Sequence, residues 1–368
     1  MNEINSPPKG QTPFRIAAKN EHTLNHSINP QSADTSTIIK VEQPLWFRWA
    51  QLVRLPTVFT VIAQVLAAFI LAAGTSDAAT AALPRLLLIL SSGISIYWAG
   101  MILNDVWDFD EDLRDRPFRP LPSGQIAIGH ARKVAWSLAG LSILLAGLSG
   151  FVTAGDLALT FAPVIIAALL VVAVVLYNGP LKSTPLAPIM MGICRMLCFL
   201  LGASPLSIVG GADFMQPQTW FADHLVTIAV AFGIYIAGIT TVSRMESGDR
   251  EVAGSWDLNV GMSVAIFGAV ALAIAPRLAP QETVWLFAPD MRYALLIGLI
   301  TFPVVIRAFR ASSDPRPELI QNLIRIAVLN IIPYSAALTL LVAGPIWAFS
   351  IFCLAVFALL TSVKMRVT

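Results

Sequence analysis

From about residue 45 onward the chain alternates long apolar runs with short polar breaks. The apolar segments lie near 55–74, 84–105, 131–152, 157–177, 186–208, 223–243, 258–276, 291–309, 322–343 and 345–363. Each approaches the roughly 20 residues that an α-helix needs to cross a bilayer core. The pattern predicts an all-α fold, a polytopic transmembrane helical bundle. The last two segments meet at Gly344-Pro345, which reads as a tight turn between two spans or as a break within one irregular region, so the count is nine or ten helices.

Basic residues then orient the bundle. One side receives Lys40, Arg48 and Arg54; Arg114, Arg116, Arg119, Arg132 and Lys133; Lys182; Arg244 and Arg250; Arg307, Arg310, Arg316 and Arg325; Lys364 and Arg366. The other receives only Arg85, Arg277 and Arg292. By the positive-inside rule the first side is cytoplasmic, and with ten helices both termini lie there. An integral, multi-pass protein of this kind is most simply placed in a bacterial cytoplasmic membrane. Residues 1–43, rich in Asn, Pro, Ser and Thr, read as a disordered cytoplasmic tail, and 44–368 as the membrane domain. Composition adds exclusions: with 56% hydrophobic residues and a net charge of +2, the chain has no basic stripe for nucleic acid. The three cysteines, Cys194, Cys198 and Cys353, sit inside apolar segments and read as small hydrophobic side chains.

The connections after helices 2, 4 and 6 carry the chemistry. In the first, NDVWDFDEDLRDRPFRPLPSG (104–124), helical spacing stacks Asn104, Asp105, Asp108 and Asp112 as one acidic stripe along about two turns. Carboxylates side by side at a membrane edge repel one another, and a cation relieves the repulsion. Hard oxygens at this spacing suit Mg²⁺ shared with substrate phosphates. Arg116 and Arg119 are suited to phosphate through bidentate guanidinium contacts, although either could be a plain topology anchor. Pro117, Pro120, Pro122 and Gly124 end the helix and fix the loop.

This stretch resembles the first Asp-rich motif of the UbiA superfamily of intramembrane prenyltransferases, NDxxDxxxD followed by RPxRPxPSG. The helical layout from about residue 45 fits the same family. The resemblance implies a UbiA-like bundle with its active site on the cytoplasmic side. It also implies a diphosphate-binding role for Tyr177 and Lys182 in LYNGPLKSTPLAP, where the family has a Tyr-Pro-Leu-Lys stretch. Arg195, in GICRMLCFLLGAS, is an intramembrane arginine that should face the interior and meet a partner or substrate. Its helix resembles the family's GxxRxxNxxLGA, with Cys198 in place of Asn.

The third connection, TTVSRMESGDREVAG, falls where the family's second motif, DxxxD, is expected. Glu246 matches its first Asp and Arg250 its second, with Asp249 offset by one. Glu246 and Asp249 keep a one-sided metal site, and Arg250 could neutralise diphosphate directly or mark altered catalysis. The TxxSRxE character of this segment resembles the UbiA-like branch of Ebo-type clusters.

The resemblance therefore implies Mg²⁺-dependent transfer of a prenyl group from an isoprenoid diphosphate to an aromatic or hydroxyl acceptor within the membrane. Asn104, Asp105, Asp108, Asp112, Glu246 and Asp249 would hold Mg²⁺, with Asp105, Asp108 and Asp112 catalytic. Arg116, Arg119, Tyr177, Lys182, Arg195 and Arg250 would contact substrate. The partners are the diphosphate, a hydrophobic acceptor and membrane lipid. Two other readings remain: a UbiA-like protein that binds a lipid diphosphate or partner proteins without turnover, and a secondary transporter. The transporter is disfavoured because charge gathers at one membrane face and not at the midplane.

Overall fold

The computed structural model describes residues 44–153, 157–207, 220–244 and 255–364. The tail expected over 1–43, and Glu246, Asp249 and Arg250, lie outside the described residues. Among the described residues the structure is helical throughout: α1 Leu45–Leu52, α2 Leu55–Ala73, α3 Ser76–Ala81, α4 Leu83–Trp107, α5 Phe109–Asp115, α6 Ile128–Phe151, α7 Ala162–Asn178, α8 Ala187–Ala203, α9 Asp223–Ser243, α10 Ser255–Ile274, α11 Met291–Ser313, α12 Pro317–Leu329 and α13 Ile331–Lys364. Eight helical stretches are long and apolar enough to cross a membrane, and α7 is a shorter apolar helix of 17 residues.

The last of the eight stretches, Pro317–Ser362, is two antiparallel passes. At Gly344 the backbone takes φ 80°, a conformation that glycine adopts without cost, and Pro345 starts the return. The reversal shows in the side chains: Arg325 of α12 donates to Ser362 near the end of α13 at 2.8 Å. Phe357 likewise returns to stack on Phe59, near the start of α2. The tight-turn reading of Gly344-Pro345 is the one that the geometry matches.

Helix boundaries follow local chemistry. Gly74, at φ 75°, closes α2 by donating to the carbonyls of Ile70 and Leu71 at 3.1 and 3.2 Å. The Thr75 side chain caps α3 by accepting from Ala78 N at 3.2 Å. Two expectations shift. The apolar run from 157 becomes helical only at Ala162, with Pro163 in the first turn, and residue 330 separates α12 from α13, its Asn330 amide donating to Ile300 O at 2.8 Å. Helix α1 is new relative to the hydropathy pattern, because eight residues are too short to show a span.

Successive passes run antiparallel, so one end of the bundle gathers the starts of α2, α6, α8 and α10 with the ends of α4, α7 and α9. We call it the charged end, and its opposite the far end. The most extensive helix contacts are α4 with α6, α9 with α10, α2 with α13 and α8 with α9. Water gives no drive for apolar helices to associate in lipid, so close approach through small residues carries the packing. At Gly238 of α9 a Cβ would collide with the Ala265 backbone of α10. Helix α2 touches α4, α8, α12 and α13 and lies at the centre.

Candidate active site

The site is built where α4 ends. Expected as one continuous helical stripe, the acidic motif is instead divided at Asp108, which caps both α4 and α5 with φ −82° and ψ 4°. The ladder continues across the break, Asp108 N donating to Asn104 O at 3.0 Å and Asp112 N to Asp108 O at 2.8 Å. Helical register is therefore kept, yet the carboxylates find different partners.

Asn104 and Asp108 share one partner. Lys182, from the α7–α8 connection, donates to Asn104 Oδ1 at 3.0 Å and to both carboxylate oxygens of Asp108. Asn104 Nδ2 in turn donates to Asp108 Oδ2 at 3.0 Å and to Asp105 Oδ1 at 3.3 Å. Three hard oxygens thus converge on one cationic atom. That donor set fits Mg²⁺, with Asn104 and Asp108 as the residues that would hold it.

Asp105 and Asp112 are committed elsewhere. Asp105 accepts from Arg54 Nη2 at 3.2 Å, and Arg54 sits in the left-handed region at φ 48°, a conformation that costs a non-glycine residue about 1–2 kcal/mol. Desolvation works against the charge of Arg54, but Asp105, Tyr97 and Asp108 together more than offset it, so its pKa stands above the ordinary value. Asp112, with only 5% of its side chain exposed, accepts from Arg119 at 2.6 Å and lies 3.9 Å from Arg116. Arg119 is thereby fixed within the Pro-rich loop, and Leu121 and Ile126 pin that loop against Leu52, Ile102 and Ala135. No group of three or more acidic, His or Cys side chains forms a metal cage among the described residues. The four motif residues divide into one converging pair and two arginine-bound anchors.

Beneath this cluster a cavity of about 330 Å³ opens between α2, α4, α7, α8, α9 and α12. Its walls are mostly aliphatic, and its polar lining is Arg54, Thr57, Tyr97, Tyr177, Asn178, Arg195, Thr240 and Ser243, beside the thiols of Cys194 and Cys198. Arg195 faces this space. Its Nη2 donates to Thr60 Oγ1 at 3.1 Å and its Nη1 to Gln64 Oε1 at 3.4 Å, while Gln64 Nε2 returns a bond to Arg195 O at 3.1 Å. Both partners are neutral, so its charge is left to the cavity. Tyr177 lines the cavity, whereas Tyr235 packs in the core with its hydroxyl on Ala327 O at 2.8 Å.

Several participants carried no sequence signal. Arg54 read as a topology anchor, and the pair Thr57–Tyr97, at 2.6 Å between hydroxyls, was not singled out. Arg244 also read as an anchor, but it donates to Thr184 O at 2.6 Å and so ties the end of α9 to the Lys182 connection.

Comparison with known proteins supplies the family. The model of the UbiA prenyltransferase family matches residues 61–367. The digeranylgeranylglyceryl phosphate synthase of Methanobrevibacter smithii is 29% identical over 178 residues, 48% of this chain and 58% of that protein. The synthase of the same name from Methanospirillum hungatei is 33% identical over 187 residues, 50% of this chain and 59% of that one. The chain spans about half the length of the curated relatives it matches. Among solved structures, a UbiA homologue from Archaeoglobus fulgidus bound to GPP and Mg²⁺ superposes with a TM-score of 0.54 at 13% identity, covering 83% of this chain and 99% of that one. A digeranylgeranylglyceryl phosphate synthase structure superposes with a TM-score of 0.51 at 19% identity, covering 80% and 98%. With a family match over most of its length and the same helical fold, the chain belongs to the UbiA prenyltransferase family.

Proposed function

We propose that this protein transfers a prenyl group, in the presence of Mg²⁺, from an isoprenoid diphosphate to an acceptor within the membrane. The observation that carries the reading is the convergence of Asn104 and Asp108 on the Lys182 ammonium at the mouth of an apolar cavity that holds Arg195. Ionising an allylic diphosphate builds negative charge on the leaving group and an allylic cation on the tail. Mg²⁺, when bound, supplies charge stabilisation to the departing diphosphate. Lys182 is placed to pass from Asp108 to a phosphate oxygen, and Arg195 offers a guanidinium from within the cavity. Arg54 and Arg119 hold the carboxylates and loop that frame the mouth. The aliphatic walls take the isoprenoid chain and keep water from the cation.

The acceptor is an electron-rich aromatic carbon or a hydroxyl. The names of the relatives describe a glyceryl phosphate carrying two prenyl chains, which favours a hydroxyl on a phosphorylated single-chain glycerol lipid. The excess of basic residues at the charged end supports a cytoplasmic position for that end and for the diphosphate, most simply in a bacterial inner membrane. Glu246, Asp249 and Arg250 belong to this reading as the opposite wall of the diphosphate site, by motif position alone.

A second reading, binding of a lipid diphosphate without turnover, is favoured by one observation. Cys198 lines the cavity where the family pattern carries Asn. Pyrophosphate release from farnesyl or geranylgeranyl diphosphate by the detergent-purified protein, with and without Mg²⁺ and across aromatic and alcohol acceptors, separates the two. Mg²⁺-dependent release is expected. Mg²⁺-dependent binding of the same donors with no release would favour the second reading.

A further inference from the structure

A second hollow of about 300 Å³ lies beside the cavity at the charged end, between the start of α2, α12 and the last turns of α13. Thr57, Ile324 and Val328 line both spaces, so a single layer of side chains separates them. The outer hollow is apolar along Pro56, Leu329 and Ala358 and carries one charged side chain, Arg325, whose Nη2 donates to Ser362 Oγ at 2.8 Å. The lipid-facing surface continues next to it, with Val356, Phe357, Leu359 and Leu360 all exposed on α13.

Topological anchoring is the simplest role for an arginine near a membrane edge. That role is already filled on this side of the chain by Arg307, Arg310 and Arg316. Arg325 differs from them in three ways: it stands well inside α12, it is half-buried, and Ser362 on an antiparallel pass steers its guanidinium along the hollow. It also lies apart from the diphosphate cluster, since neither Arg325 nor Ser362 lines the main cavity. A two-substrate transfer needs two sites that meet at the reacting carbon, and Thr57 with Ile324 and Val328 forms that meeting point.

We propose, building on the prenyl-transfer reading, that this hollow seats the acceptor's anionic head, with Arg325 gripping the phosphate of a single-chain glycerol lipid. The lipid's own tail lies along the apolar rim, and its free hydroxyl points past Thr57 into the main cavity. Arg325 is then a specificity-determining residue: it admits a phosphate-headed lipid and gives a neutral alcohol of the same chain length nothing to hold. Charge complementarity and the shared wall both favour this occupant over a second copy of the chain.

The test measures binding to the full chain in neutral detergent, with no diphosphate donor, for three probes: oleoylglycerol phosphate, monooleoylglycerol and glycerol phosphate. The wild type should bind the phosphate lipid well above the other two, and Arg325→Gln should weaken that binding about tenfold or more, the scale of a charge-assisted contact. Arg325→Lys should recover part of the loss. Mg²⁺-dependent binding of a non-hydrolysable farnesyl diphosphate analogue should be unchanged in Arg325→Gln, which shows that the variant is folded. Equal affinity of wild type and Arg325→Gln for the phosphate lipid overturns the proposal. So does binding of glycerol phosphate or of monooleoylglycerol as tight as that of the phosphate lipid, since either removes the need for head and tail together. Failure of the prenyl-transfer reading shows separately, as absence of pyrophosphate release by the wild type.

Discussion

Arg195 and Arg85 are both arginines within apolar helices, and the bundle treats them in opposite ways. Arg85, at the far end, is 1% exposed and spends its donors on backbone: Nε to Val152 O at 2.9 Å, Nη1 to Pro205 O at 2.7 Å, and Nη2 to Ala158 O at 3.0 Å and Leu157 O at 3.3 Å. It ties the start of α4 to the α6–α7 connection and to the turn after α8. Arg195 has two neutral side-chain partners and a cavity before it. A buried cation sealed by fixed carbonyls is a structural bolt. One that is only half-satisfied beside an apolar space can receive an anion. Lys182 extends the contrast, because its partners, the Asp108 carboxylate and the Asn104 amide oxygen, can trade an ammonium for a metal ion.

The largest expected effect is at the exchangeable end. Asp108→Ala removes two of the three oxygens around Lys182, and with them the converging donor set for the metal. Turnover should fall by about a thousandfold, the scale of losing one preorganised charge-stabilising group, with the melting temperature in detergent little changed. The pair is partly exposed, 33% for Lys182 and 17% for Asp108, so it adds little to stability. Pyrophosphate release near the wild-type rate in this variant would sink the metal role of the motif.

At the sealed end the same kind of deletion should act on stability instead. Arg85→Leu strips the buried Pro205 carbonyl and three partly buried ones of their donor; a buried carbonyl left unsatisfied costs about 1–3 kcal/mol and the others less, so a loss of about 2–4 kcal/mol is expected. Thermal unfolding in detergent reads this directly, and pyrophosphate release per folded molecule should stay close to wild type. If activity fell while the melting temperature held, the far end would have a part in turnover and the contrast with Arg195 would collapse.

What the sequence revealed follows the range of each signal. The spans were legible because uninterrupted runs of about 20 apolar residues are rare outside membrane-crossing helices, and the acidic motif because its spacing repeats every helical turn. What the carboxylates do was not legible. Spacing puts Asn104, Asp108 and Asp112 on one face, but the partners come from loops the spacing does not describe: Asp112 goes to Arg119 and Asp108 to Lys182. Arg54 escaped notice because its partner Asp105 lies 51 residues away and nothing around either residue announces the pairing. Arg85 escaped for a deeper reason. Its partners are backbone carbonyls, which every sequence supplies and none can advertise.

The finest test of the comparison is at Arg195 itself. If it is a half-satisfied cation held ready for the diphosphate, Arg195→Gln should lower kcat/KM for the donor by about tenfold to a hundredfold, the scale of one or two charge-assisted contacts. Arg195→Lys should recover part of this, because the charge survives while the fork geometry does not. Stability should move less than in Arg85→Leu, since Thr60 and Gln64 can bond to the new amide or to each other. A purely structural arginine predicts the reverse order: a large drop in melting temperature, no difference between Gln and Lys in donor affinity, and an unchanged kcat/KM in whatever fraction remains folded. Measuring both quantities on both variants decides whether the two intramembrane arginines differ in kind or only in the number of their partners.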